Sequence, residues 1–294
     1  MTATPNGGSM NAAISVESIS YAYGEIKAVN GISFEVARGE IFGFLGPNGA
    51  GKSTTIKMLV GQLVPQAGSV RVLGMPVRGH SSEVNARIGV SFEEKNLYLQ
   101  MTAEENLRFF ASLFGIKKLD VRALLERVDL AGRGKDRVAS YSKGMRQRLM
   151  IARALINDPD VLFLDEPTDG LDPVSSRAIR AIIEERARAG TAVLLTTHDM
   201  NEADKLSDRV AFINEGVFHA IDTPENLKLK HGTRSATVRV RVGDEIVEKR
   251  VPLDKGTVGE GLKGAVSGGD VVTIHTEEAT LEDIFVSMTG RGLA

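Results

Sequence analysis

The segment Gly46-Pro-Asn-Gly-Ala-Gly-Lys-Ser53 constrains this chain more than any other. It fits the pattern GxxxxGK[ST] and lies between a compact apolar run, Ile41–Leu45, and a stretch, Ser53–Val60, that reads as a helix. Glycines let the backbone curl until successive N–H groups point inward. The following helix adds the positive end of its dipole, so the turn is built to hold an anion such as a polyphosphate. Gly46, Asn48, Gly49, Ala50, Gly51, Lys52, Ser53 and Thr54 are the residues expected to hold the phosphates. Lys52 is expected at the β- and γ-phosphates, and Ser53 is expected to offer its hydroxyl to Mg²⁺.

A second run supplies the complement. Val161-Leu-Phe-Leu-Asp-Glu166 buries four apolar residues and releases two carboxylates at the carboxyl end of a strand, where α/β sheets place their ligands. Asp165 is expected to act on Mg²⁺, and Glu166 to polarise an attacking water. Adjacent acids repel unless a cation sits nearby.

These runs recur with helical segments between them. Ala192–Thr197 has the length and composition of a buried parallel strand, while Lys143–Ile156 and Pro173–Ala189 have helical character. The alternation predicts an α/β core around a largely parallel sheet. Ile14–Ala22 and Ala28–Val36 read as antiparallel strands ahead of it. A helix-rich insertion runs from about Thr102 to Ser140, with Leu107, Phe110, Ala111 and Phe114 on one face. Most of its aromatics are expected to pack within the domain, with Phe109, Phe110 or Phe114 the candidates for contact with a partner.

The pattern changes after Leu229. Ala236, Val238, Val240 and Val242 alternate with polar residues, Ile246–Val251 reads as the second arm of a hairpin turning at Gly243-Asp244, and Val271–Ile274 as another strand. Leu281–Met288 reads as a helix. Three regions are thus expected: a leader over 1–12, a main domain over 13–230 and a small α+β domain over 235–294. That last domain is expected to regulate, to dimerise or to cap the core.

Bulk properties set further bounds. The 294 residues carry a formal net charge of −2, so no global basic field points to nucleic acid as a partner. The absence of cysteine excludes disulfides, thiolate metal sites and thiol nucleophiles, and suits a reducing compartment. There is no apolar run of the length that spans a bilayer, about 18 or more residues. His80, His219, His231 and His275 are scattered and are assigned to no metal.

Further segments narrow the reading. Tyr141-Ser-Lys-Gly-Met-Arg-Gln-Arg148 resembles the signature of ABC ATPases, often written LSGGQ-x-QR. Asp169-Gly-Leu-Asp172 resembles their D-loop, and His198, ending Leu-Leu-Thr-Thr-His, resembles their switch histidine. Tyr23, before Gly24, is similar to the aromatic on which adenine stacks in that family; alone it reads as a packed aromatic. The resemblance spans roughly Ile14–Leu229. It implies a P-loop ATPase core with an antiparallel β subdomain and a helical subdomain, Mg²⁺-dependent hydrolysis of ATP, and catalysis by Lys52, Glu166 and His198. It also implies that Ser142 and Gly144 meet the ATP of a second copy, so that ATP is sandwiched in a homodimer, and it makes Asp172 a candidate nucleotide-binding residue. The partners implied are integral-membrane permease subunits, with the chain held at the cytoplasmic face of the membrane. A non-transport ABC ATPase acting on nucleic acid or the ribosome is the alternative.

Departures are as informative as matches. Where the family carries a glutamine after a strand, Ile88-Gly-Val-Ser-Phe-Glu93 carries a glutamate. Glu93 is a candidate Mg²⁺ ligand, or is neutral or turned away. Tyr141, Lys143 and Met145 replace a leucine, a glycine and a glutamine of the signature, while Ser142 and Gly144 remain. Ser-Lys-Gly-Met, together with Ala279–Gly290, resembles subunits of the export branch related to drug, antibiotic or polysaccharide exporters.

Overall fold

Every residue of Ile41–Leu45, Val161–Asp165 and Ala192–Thr197 is buried, which only a sheet covered on both faces allows. Their side chains alternate between two cores. Ile41, Leu162, Leu164, Val193 and Leu195 pack on one side with helices. Phe42, Phe44, Val161, Phe163, Ala192 and Leu194 pack on the other, against an antiparallel sheet. The computed structural model describes residues 12–92, 96–232, 235–243, 245–253, 258–267, 269–277 and 279–290. The expected leader therefore lies outside the described residues, apart from Ala12, and so does Glu93.

The chain opens with strands β1 (Ala12–Tyr23) and β2 (Ile26–Ala37), followed by β3 (Ile41–Leu45) and helix α1 (Lys52–Leu59). Next come β4 (Ala67–Val72), β5 (Met75–Pro76), α2 (Ser81–Asn85) and β6 (Ile88–Ser91). The insertion holds α3 (Ala103–Leu113) and α4 (Val121–Arg127). The core resumes with α5 (Lys143–Ala154), β7 (Val161–Asp165), α6 (Pro173–Arg188), β8 (Ala192–Thr197), α7 (Met200–Leu206), β9 (Arg209–Asn214) and β10 (Val217–Asp222).

The antiparallel sheet has the order β2-β1-β4-β5 and the central sheet the order β10-β9-β3-β8-β7-β6. The pairs β3–β8, β3–β9, β6–β7 and β7–β8 are parallel, as the alternation predicts. Phe34, Phe42, Phe44 and Phe218 cluster between the sheets, with Phe34 and Phe44 edge-on at 5.0 Å. Each fully buried ring of this kind contributes about 1.5–3 kcal/mol. In the insertion Leu107 and Ala111 are buried and Phe110 is half-buried, but Phe114 is exposed. Thr102 and Glu105 form a reciprocal capping box that starts α3.

The chain divides into two compact units at Ile221/Asp222. That division precedes the break expected over 230–235, because α8 (Pro224–His231) groups with the C-terminal unit. That unit also holds β11 (Ser235–Val242), β12 (Glu245–Pro252), α9 (Val258–Val266), β13 (Asp270–Glu277) and α10 (Leu281–Thr289). Its sheet has the order β12-β11-β13, and the alternating Val238 and Val240 are buried with Val251 and Ala265. Gly243 turns the expected hairpin with φ +64°; Asp244 lies outside the described residues.

Candidate functional site

The loop between β3 and α1 is threaded so tightly that two of its glycines are obligatory. A Cβ on Gly46 would overlap the carbonyl oxygen of Ile213 in β9. One on Gly51 would overlap that of Ala28 in β2, at a φ of +108° that L side chains rarely adopt. Gly51 caps α1 without any side-chain acceptor, which leaves the first-turn N–H groups of the helix to a ligand or water. The resulting cavity, about 210 Å³, is lined by Pro47, Asn48, Gly49, Gly51, Lys52, Ser53, Thr54 and Glu166. Gly46 and Ala50 of the expected set do not line that cavity, and their backbones brace the loop. The Gly46 carbonyl accepts Lys52 Nζ at 2.5 Å, and the Ala50 backbone is bonded to Pro47 and Gly216.

Lys52 is buried, and its ammonium also lies 3.3 Å from Glu166 Oε1. Glu166 directly follows β7 with φ +48°, a left-handed conformation that is uncommon outside glycine and recurs at functional sites. Its Oε2 meets His198 Nδ1 at 3.0 Å, just beyond the end of β8. Its Oε1 is buried, and among the described residues the Lys52 ammonium is its partner, as an ion pair without hydrogen-bond alignment. Asp165 is buried beside it and accepts the Thr196 hydroxyl at 2.5 Å; the same hydroxyl accepts Glu166 N–H at 3.1 Å. The register pairs Asp165 with Thr196, so β8 supplies both the partner of one carboxylate and, through His198, that of the other. Thr196 was not among the expected residues. Its only trace in the sequence is its place two residues before His198.

Among the described residues no group of three or more His, Cys, Asp or Glu side chains could hold a metal ion by itself. Ser53, which lines the cavity, and the buried carboxylate of Asp165 at the end of β7 are oxygen donors of the kind Mg²⁺ takes together with substrate phosphates and water. Glu166 Oε1 is held by the Lys52 ammonium alone, which leaves it acceptor capacity for a water.

Ser142 caps α5, its hydroxyl accepting Met145 N–H at 3.2 Å. Gly144 lies in the first turn of α5, where a Cβ would come 2.6 Å from Ser175 Oγ. Close packing of α5 on α6 is therefore one reason for that glycine. Asp172 caps α6, accepting Val174 and Ser175 N–H at 3.0 Å each. The Ser175 contacts, then Val174, hold its carboxyl below the usual range. Tyr23 is exposed at the β1–β2 hairpin, edge-on to Tyr21 at 4.9 Å. Ser142, Gly144, Asp172 and Tyr23 do not line the Lys52 cavity. The chain brings Lys52, Ser53, Asp165, Glu166 and His198 together and leaves the signature turn outside that group.

A second cavity of about 500 Å³, lined in part by His198, adjoins this one through Glu166, which lines both. It brings in Asp169, which the sequence reading noted only as part of a motif, with its Oδ1 3.9 Å from His198 Nε2.

Known proteins match this arrangement. The ABC transporter family model matches residues 29–169, which include the phosphate loop, the Ser142 turn and both carboxylates. A fluoroquinolones export ATP-binding protein of Mycobacterium tuberculosis (strain CDC 1551 / Oshkosh) is 46% identical over 90% of this chain and 89% of its own. The Nod factor export ATP-binding protein I of Paraburkholderia xenovorans is 38% identical over 95% and 98%. Among solved structures, an ATP-binding subunit of an ABC transporter superposes with a TM-score of 0.68 at 30% identity, covering 74% of this chain and 92% of that one. An ATP-binding cassette in its ADP conformation gives 0.65 at 26%, covering 74% and 93%. A phosphate-binding loop, a carboxylate pair at the neighbouring strand end and full-length relatives of one kind lead to one assignment: the chain belongs to the ABC transporter family, as one of its ATP-binding subunits.

Proposed function

We propose that this chain hydrolyses Mg²⁺-bound ATP at a site completed by a second copy, and so drives a membrane permease that exports its cargo. The observation that carries the reading is the Glu166 carboxylate. It is buried, lines the phosphate cavity, and is held from both sides, Oε1 3.3 Å from the Lys52 ammonium and Oε2 3.0 Å from His198 Nδ1. An acceptor held in that way can orient a water and take up its proton. Lys52 and the loop amides balance charge on the phosphoryl group being transferred, and His198 fixes the carboxylate. When bound, Mg²⁺ would neutralise phosphate oxygens, with Ser53 and Asp165 as its protein ligands.

The Ser142 turn supports a two-subunit site. Ser142 and Lys143 are exposed at the N-terminus of α5, an anion-binding position, yet line no part of their own chain's phosphate cavity. A head-to-tail pair would bring that turn, with Gly144 and Asp172, to the ATP of its mate. Loss of the bridging phosphate then loosens the pair. Tyr23 is offered as the adenine platform because its ring is exposed at the β1–β2 hairpin.

Among the described residues no helix is long and apolar enough to cross a membrane, so the transport path is assigned to the permease, with this chain on its cytoplasmic side. A cavity of about 410 Å³ lined by Val90, Phe92, Phe110, Phe114 and Arg153 supports docking there, with Arg153 stacked 4.6 Å over Phe110. The relatives are named for two different cargoes, fluoroquinolones and Nod factor, which supports cargo choice by the permease.

Glu166→Gln tests the central claim. It should retain ATP binding, lower turnover by about 10²–10⁴-fold, the range of a lost general base, and accumulate a dimer with Mg-ATP on size-exclusion chromatography. Normal turnover by this variant removes Glu166 from the mechanism.

A further inference from the structure

Lys143 stands where the family signature has a glycine, and its side chain has a definite destination. Its ammonium lies 3.3 Å from Asp169 Oδ2. Space for it exists because residue 170 is glycine: at φ +58°, a Cβ there would overlap Lys143 Nζ. The other oxygen of Asp169 faces His198 Nε2 at 3.9 Å, and His198 Nδ1 meets Glu166 Oε2 at 3.0 Å. Lys143, Asp169, His198, Glu166 and Lys52 thus form one line of alternating contacts, from the start of α5 to the phosphate loop.

We propose that Lys143 is a positioning residue, an intrachain tie that holds Asp169 off His198 and so keeps His198 on Glu166. The Lys143 ammonium and an Nε2–H of His198 compete for Asp169, and in the neutral ring a proton on Nε2 is one that Nδ1 cannot give to Glu166. With Lys143 removed, the carboxylate retains only the imidazole, and a closer Asp169–His198 contact draws the ring from Glu166. The tie bears first on the hydrolytic carboxylate, and Lys52 at the end of the line is also held by the Gly46 and Pro47 carbonyls, so the tie controls turnover rather than ATP affinity. On the two-subunit reading above, it has a further consequence. The Ser142 turn, next to Lys143, serves the mate's ATP while Glu166 serves its own, so the tie couples the two sites of the dimer.

Both partners are about half exposed, at 51% and 42%. Exposed pairs shift an equilibrium by up to about fivefold. In Mg-ATPase assays of the full-length chain, Lys143→Ala should therefore lower kcat by about two- to fivefold with KM unchanged. Lys143→Arg, which keeps the charge, should restore kcat. Asp169→Ala removes the competitor, so Lys143→Ala in that background should have no effect. Equal losses from Lys143→Ala with and without Asp169, or a loss in KM alone, would overturn the tie. Dimer coupling is read separately from the Hill coefficient for ATP, which should fall toward 1 in Lys143→Ala. An unchanged Hill coefficient, in a chain whose Glu166→Gln variant does dimerise with ATP, refutes the coupling. If Glu166→Gln forms no dimer, the two-subunit reading falls, while the kcat cycle still decides the intrachain tie.

Discussion

Two opposite charges taken out of water within 3.3 Å of each other make the Lys52–Glu166 pair the most consequential electrostatic contact of the site. Coulomb's law at an effective dielectric of about 20 gives an attraction of about 5 kcal/mol at that separation. The side chains are only 6% and 7% exposed, so salt screens the pair little. Removing each ion from water costs several kcal/mol, which offsets most of the attraction. The net coupling should fall near the value for hydrogen bonds to charged groups, about 1.5–3 kcal/mol. The partners are not equivalent. Lys52 keeps the carbonyls of Gly46 and Pro47, at 2.5 and 3.3 Å, when Glu166 becomes Gln. Glu166 keeps only His198 when Lys52 becomes Met. Lys52→Met should therefore destabilise more, by about 3–5 kcal/mol, than Glu166→Gln. The assay is urea unfolding of both single variants and the double variant without nucleotide, analysed as a cycle. A coupling energy below about 0.5 kcal/mol, the level at which independent sites simply add, or a larger loss from Glu166→Gln, refutes the reasoning.

Gly51→Ala should cost at least about 2 kcal/mol, from a disallowed backbone and overlap with the Ala28 carbonyl. Loss of ATP binding should accompany the lower urea midpoint, and a variant that binds ATP normally would contradict the loop geometry. Tyr141→Phe should cost about 1 kcal/mol, because the hydroxyl donates to the Arg133 carbonyl at 2.7 Å. Burial, then Asp136, pushes the Tyr141 hydroxyl up to about 12, against Arg133. A pKa raised on folding means that this contribution is intact below about pH 10, the unfolded value, and is lost as pH rises through about 12. Stability of the wild-type chain should therefore fall more steeply above pH 10 than that of Tyr141→Phe; parallel curves would exclude the shift.

The parts legible in the sequence are those where one residue type is physically required. Glycines at 46 and 51 are forced by backbone approach, and the apolar runs of β3, β7 and β8 by burial on both sheet faces, so both could be read without coordinates. Thr196 could not, because its role comes from the register of β7 on β8, a non-local pairing that no local pattern encodes. Nor could α9, whose Gly259, Gly261 and Gly264 argue against a helix until the sheet beneath Ala265 is present. The division at Ile221/Asp222 was also hidden. The polar break after Leu229 looked like a linker, whereas α8 packs with α10 in the C-terminal unit.

The altered signature follows the same logic. A position can change within a family where its neighbours belong to the same chain and can change with it. Tyr141 is buried and its added hydroxyl finds the Arg133 carbonyl. Lys143 finds Asp169 over a glycine, and Met145 packs against the helical core. All three replacements are answered from within the chain. Ser142 and Gly144 are held differently, one by the open N-terminus of α5 and the other by the 2.6 Å approach of Ser175. A larger side chain at 144 would push α5 away from α6 and carry the Ser142 cap with it. The turn proposed to face a second subunit is thus fixed at two points by backbone geometry, while the residues between and beside them are open to adjustment from within.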